Sequence, residues 1–163
     1  MSRRIAPQII FAILVTMACT TTAGAQSQHA TAKGSPEVGL RFGRDFSLDK
    51  WGVGGHVLVP LAGTIELRPS ADLDLGMDQL GDAYQLNGDL ALRGARNIAY
   101  LGGGIAYVHR QFDSGKTSGT GFNLFLGFKP LPRQGSQIYL EGRWTRVNSE
   151  SIIRASIGVA FHL

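Results

Sequence analysis

The stretch Ile153-Arg154-Ala155-Ser156-Ile157-Gly158-Val159-Ala160-Phe161-His162-Leu163 alternates without a break. Ile153, Ala155, Ile157, Val159, Phe161 and Leu163 share one parity, and Arg154, Ser156, Gly158, Ala160 and His162 share the other. Successive side chains of a strand point to opposite faces, so a period of two held this long predicts one strand with an apolar face and a polar or small face. This strand is expected to be the last of the fold, with an aromatic residue beside its end.

Working back from it, seven more segments alternate in the same way, separated by turn chemistry. Gln137 to Val147 sets Ile138, Leu140 and Trp144 against Tyr139, Glu141, Arg143 and Thr145. Gly121 to Phe128 sets Phe122, Leu124, Leu126 and Phe128 against Asn123, Phe125 and Gly127. Tyr100 to Tyr107 sends Leu101, Ile105 and Tyr107 to one side, with glycines relieving crowding on the other. Tyr84, Leu86, Leu90 and Leu92 oppose Gln85, Asn87, Asp89 and Arg93. In Thr64 to Leu73, Ile65, Leu67, Ala71 and Leu73 alternate with Glu66, Arg68, Ser70 and Asp72, a set that no soluble core would lie against. Trp51 to Val59 and the segment from Val38 complete the series, with Gly52, Gly54, His56, Leu58, Gly39, Arg41 and Gly43 on the polar or small parity. Pro60 to Gly63, Gly94 to Asn97 and Pro130 to Ser136 read as tight turns, while Asp74 to Ala83 and Arg110 to Gly119 read as longer polar loops. Short turns at one end and longer loops at the other are the rhythm of an even-stranded antiparallel membrane barrel with both termini on the short-turn side.

Alternation alone does not say which face is wet. A soluble lipocalin-like barrel turns its apolar residues into the lumen and its polar residues to water. Two features reverse that assignment here: the apolar parity is nearly continuous from strand to strand, and charged residues recur on the other parity of most segments. Arg41, Glu66, Arg68, Asp72, Asp89, Arg93, Glu141, Arg143 and Arg154 are therefore expected in the lumen as a network of ion pairs, because buried charges are tolerated only when paired. The expected fold is all-β, an eight-stranded antiparallel up-and-down transmembrane β-barrel. Closure is required because an open sheet edge in hydrocarbon leaves backbone groups unsatisfied. Eight strands leave an interior just wide enough for side chains, which argues against a wide pore. The alternative is a secreted soluble barrel that binds a small apolar ligand, in which Leu86, Leu124, Ile157 and Val159 line a cavity instead of meeting lipid.

Ahead of the alternating region, Arg3 and Arg4 precede an apolar run from Ile9 to Ala18 and a small-residue segment ending Ala23-Gly24-Ala25. This pattern predicts a secretory signal peptide over residues 1–25, a periplasmic lead-in over 26–34 and a barrel over 35–163. The apolar run is too short for a transmembrane helix. Cys19 is the only cysteine, and Thr16-Met17-Ala18 before it does not read as a lipobox. Cleavage after Ala25 leaves no thiol, which removes disulfides, thiolate metal sites and cysteine nucleophiles together. It also leaves 138 residues with 14 basic and 12 acidic side chains, a balance that gives no reason to expect a nucleic-acid surface. The 22 glycines, spread through strand-like segments, argue against a long helical fold.

With the leader, the strand Tyr100-Leu101-Gly102-Gly103-Gly104-Ile105-Ala106-Tyr107, the strand Ile138-Tyr139-Leu140-Glu141-Gly142-Arg143-Trp144 and the ending Ser156-Ile157-Gly158-Val159-Ala160-Phe161, the chain resembles small bacterial outer-membrane barrels of the OmpA/OmpX-like superfamily. The resemblance covers nearly the whole chain after residue 25. It implies residence in the outer membrane and a terminal strand read by the barrel-assembly machinery, which favours a final aromatic; this chain ends Phe161-His162-Leu163.

Arg44, Lys50, Arg110, Lys116 and Arg146 fall in or beside the expected outer loops, where cations can pair with the phosphates of lipopolysaccharide. Trp51, Tyr84, Tyr107, Trp144 and Phe161 lie toward strand ends, where amphipathic rings suit the boundary between headgroups and hydrocarbon. His29, His56, His109 and His162 are scattered over the lead-in, two strands and the terminus, none with a serine two residues away on the same strand face and none in metal-ligand spacing. No catalytic, cofactor-binding or metal-binding set is therefore expected, and a lipid A-modifying enzyme is the less favoured class. The expected role is structural or surface-interacting, the expected partners are outer-membrane lipid and lipopolysaccharide, and the expected state is a monomer.

Overall fold

A computed structural model describes residues 35–75, 80–94, 98–112, 115–131 and 136–163. The expected signal peptide, Cys19, His29 and the lead-in lie outside the described residues.

Eight strands form: β1 (Glu37–Asp45), β2 (Lys50–Ala62), β3 (Ile65–Leu75), β4 (Leu80–Arg93), β5 (Ala99–Phe112), β6 (Gly115–Leu131), β7 (Ser136–Val147) and β8 (Glu150–His162). Each pairs antiparallel with its neighbour in sequence, and β1 pairs with β8 to close the barrel. Along that seam Val38 faces Phe161 and Asp45 faces Arg154. Closure leaves no strand without two partners, which removes the unpaired edge that an open sheet would present.

One end of the barrel carries Glu37, His162 and the connections β2–β3, β4–β5 and β6–β7; it is termed the termini end. The other, the hairpin end, carries the connections β1–β2, β3–β4, β5–β6 and β7–β8. At the hairpin end Asn148 and Ser149 both have positive φ, 47° and 69°, between the paired Val147 and Glu150. That is the two-residue turn whose twist matches the strands it joins. At the termini end Gly63, φ 55°, turns β2 into β3.

The expected connections are corrected in four places, the first being the turn placed at Pro130 to Ser136, since β6 reaches Leu131 and β7 begins at Ser136. The turn placed at Pro60 to Gly63 is narrower: β2 runs on to Ala62, with a register shift between Pro60 and Ala62. The loop placed at Asp74 to Ala83 is mostly strand, since β3 reaches Leu75 and β4 begins at Leu80. The loop placed at Arg110 to Gly119 is also strand: β5 and β6 pair through Arg110 with Thr117 and Phe112 with Gly115. The long-loop rhythm is therefore absent, with successive strands separated by two to five residues throughout. The physical reason is that a ribbon rising beyond the apolar belt has polar surroundings on both faces and loses the period-two signal, although its backbone ladder continues.

Candidate functional site

The two faces of the sheet differ in chemical character. Outward positions carry the large apolar residues: Ile105 is 73% exposed, Leu126 64% and Leu124 54%. Leu86, Leu124, Ile157 and Val159 all take this outward parity, so none of them lines a cavity inside the barrel. That corrects the lipocalin-like alternative. Toward the hairpin end the outer face carries paired aromatic rings. Phe42 stacks on Trp51 at 5.0 Å, Tyr84 lies 6.2 Å from Tyr107, and Phe122 meets Trp144 edge-on at 5.4 Å. Phe161 lies on the same face at the termini end.

Inward positions carry the charges. Arg68 is 2% exposed and Asp89 0%. At the centre Glu141 accepts from Arg41 at 3.0 Å, lies 2.6 Å from Arg68 Nη1 and 3.2 Å from Arg143, and takes the Tyr100 hydroxyl at 3.0 Å. Arg41 also grips Asp72 with two bonds of 2.7 Å, and Arg143 donates to Asp89 at 2.8 Å. Arg154 extends the chain of pairs toward the hairpin end, 3.4 Å from Asp72, 2.7 Å from Asp74 and 3.3 Å from Asp45. Arg110 continues it, 3.9 Å from Asp45 and 3.2 Å from Glu150. Two pairs stand apart from this chain, Arg93 with Glu66 at 2.6 Å and Lys129 with Glu37 at 2.7 Å.

The remaining lumen volume is filled by hydrogen-bonding and aromatic groups. Gln85 donates to Asn87 at 2.6 Å and to Thr145 at 3.1 Å, and Asn87 donates to Ser70 at 3.0 Å. The Arg68 guanidinium lies 4.7 Å from the Tyr100 ring, 5.3 Å from Phe125 and 5.7 Å from Tyr139, and 3.3 Å from His56 Nδ1. The large rings fit because the strand beside each is bare: a Cβ at Gly127 would overlap Tyr100, and one at Gly158 would overlap Tyr139. Near the hairpin end Val108, Val147 and Ile152 pack together inside. Among the described residues no group of three or more His, Cys, Asp or Glu side chains converges to hold a metal ion.

All nine residues expected in the lumen point inward. Arg41, Arg68, Asp72, Asp89, Glu141, Arg143 and Arg154 share one connected network, whereas among the described residues Glu66 and Arg93 pair only with each other. The network also recruits Asp45, Asp74 and Arg110, with Glu37 and Lys129 as a pair of their own; Asp74 and Arg110 lie where loops were expected and the other three at strand ends, and their inward parity was the signal available.

The five expected loop cations divide. Lys116 and Arg146 are exposed, the latter donating to Ser151 at 3.0 Å, and Arg44 pairs with Asp49 while lying 5.6 Å from the Trp51 ring. Lys50 stands opposite inward Asp45 in the register, at the lumen side of the rim. Arg110 is corrected outright: it is buried in the lumen and held by carboxylates, because its strand continues where a loop was expected.

The N-terminal β-barrel domain of Pseudomonas aeruginosa OprF superimposes with a TM-score of 0.68, over 80% of this chain and 98% of that domain, at 18% identity. The fold is that of the OprF barrel domain. The de novo designed TMB2.3, solved by solution NMR, matches with a TM-score of 0.52 at 14% identity, over 80% of this chain and 94% of that one. No protein-family model and no curated protein matches. A closed eight-stranded antiparallel barrel, expected from the sequence, is what the chain forms.

Proposed function

We propose that this protein is an integral outer-membrane β-barrel with a structural or surface-interaction role and no catalytic one. The observation that carries the reading is the inversion of its faces: exposed Leu, Ile, Val and Phe outside, and buried, mutually paired Arg, Asp and Glu inside. An apolar exterior on every strand is unfavourable in water and favourable in lipid. The likeness to the OprF barrel domain supports the same reading.

In this reading residues 1–25 are cleaved as a signal peptide, both termini face the periplasm and the hairpin end faces outward. The β8 strand is the segment that the assembly machinery engages. The ion-pair network is a static filling that stabilises a narrow lumen, and the barrel acts as a monomer. Arg44, Lys116 and Arg146 meet lipopolysaccharide phosphates at the outward rim.

The test is expression of the full chain in a Gram-negative host, separation of the membranes, and electrophoresis of the outer-membrane fraction with and without boiling. A band in that fraction whose mobility changes on boiling is the expected result. Recovery as soluble periplasmic protein would sink the proposal. For the rim, charge reversal of Arg44, Lys116 and Arg146 together is expected to weaken binding to lipopolysaccharide-containing vesicles, and unchanged binding would remove that contact.

A further inference from the structure

The outer face of β4–β6 is not a smooth apolar wall. Gly88 on β4 takes an outward position opposite Ile105, leaving a groove of about 440 Å³ between Leu86, Ile105 and Tyr107 and running up to Thr120. Its walls are mostly apolar, while the same three strands carry polar groups above it toward the hairpin end. His109 stacks on Tyr84 at 5.0 Å, and Ser118, opposite it in the register, and Lys116 follow on β6. An apolar furrow topped by a cation, an imidazole and hydroxyls matches an amphiphile with an acyl chain and an anionic headgroup.

We infer that this groove seats one acyl chain of a lipopolysaccharide molecule, with a headgroup phosphate drawn to Lys116 and His109. The inference rests on the proposed outward orientation of the hairpin end, since lipopolysaccharide is the lipid of the outer leaflet. It goes further by assigning the lipid to one furrow instead of the whole rim. The glycine makes the furrow: a Cβ at Gly88 would meet only Ile105, at 3.6 Å, so a larger side chain is accepted without moving the backbone and fills the space. Gly142 on β7 is also outward, with nothing within 4 Å of an added Cβ, and serves as the matched control elsewhere on the belt.

The experiment uses the full-length protein purified from outer membranes in mild detergent. Purified lipopolysaccharide, or phosphatidylglycerol as competitor, is added and bound lipid is counted by native mass spectrometry. The wild type is expected to retain one lipopolysaccharide molecule. Gly88→Leu is expected to lose at least about tenfold in retention, Lys116→Glu several-fold, and Gly142→Leu nothing. Equal retention by Gly88→Leu and wild type overturns the seat, and so does equal loss in Gly142→Leu. Equal retention of phosphatidylglycerol overturns the lipid assigned. Mobility change on boiling is scored for every variant, so a misfolded variant is recognised, and a wild type that shows no such change condemns the membrane reading itself instead of the groove.

Discussion

On β3, Glu66, Arg68, Ser70, Asp72 and Asp74 are buried while Ile65 and Leu67, on the same backbone, are exposed. In a water-soluble barrel the two sets would trade places. The contrast teaches that one backbone geometry serves two opposite solvents, and that the faces should respond to substitution in opposite ways: the lumen punishes loss of a charge, the exterior punishes gain of one.

The largest effect is expected where the lumen is most interconnected. Glu141→Gln takes the negative charge from beside Arg41, Arg68 and Arg143 at once, and breaking a buried ion pair costs about 3–5 kcal/mol. The denaturant midpoint of the barrel refolded in micelles reads this, and a drop no larger than that of a surface substitution would mean that the network contributes nothing. The exterior is broken next. Leu124→Arg puts a charge on the middle of the belt and should cost about 2–4 kcal/mol in a bilayer. The same measurement made on lipid-reconstituted protein would show near-neutrality if that face meets water.

A third comparison sets two glycines against each other. A Cβ at Gly102 would overlap both the Leu90 carbonyl oxygen and the Phe125 ring on the lumen side, so Gly102→Ala should destabilise by about 1–3 kcal/mol through overpacking. Gly142→Ala, on the outer face, should stay within about 0.5 kcal/mol. If the two cost the same, the lumen is looser than its packing indicates. The smallest effect belongs to the rim, where both partners of Arg44 and Asp49 are substantially exposed. Removing that pair should change stability by less than about 1 kcal/mol, and the difference should vanish in high salt.

The inward lining was legible wherever a charge sat within an alternating run, as at Arg68, Asp89 and Glu141. It was obscured at Arg110, whose outward neighbours His109 and Gln111 are polar too, whereas at Asp74 the alternation through Leu73 and Leu75 ran on into the segment assigned to a loop. Lys129 lies between the expected strand ending at Phe128 and the expected turn from Pro130, and its inward parity puts it against Glu37 across the barrel. Lys50 and Lys116 looked alike as isolated loop cations. Register alone placed the first at the lumen side of the rim and the second on the ribbon that rises from β5 and β6.

The amino-acid sequence by itself determined the number of strands, the face each side chain takes within the alternating runs and the chemical character of both faces, because a strand's period of two is a local property carried by neighbouring residues. Tertiary structure decided which carboxylate each arginine meets. Arg41 and Glu141 are 100 positions apart and come together only because β1 closes onto β8 with a defined register. It also decided where strands end and where the outer wall is furrowed, since continuation of a ladder and the depth beside Gly88 depend on the partner strand and not on the residue itself.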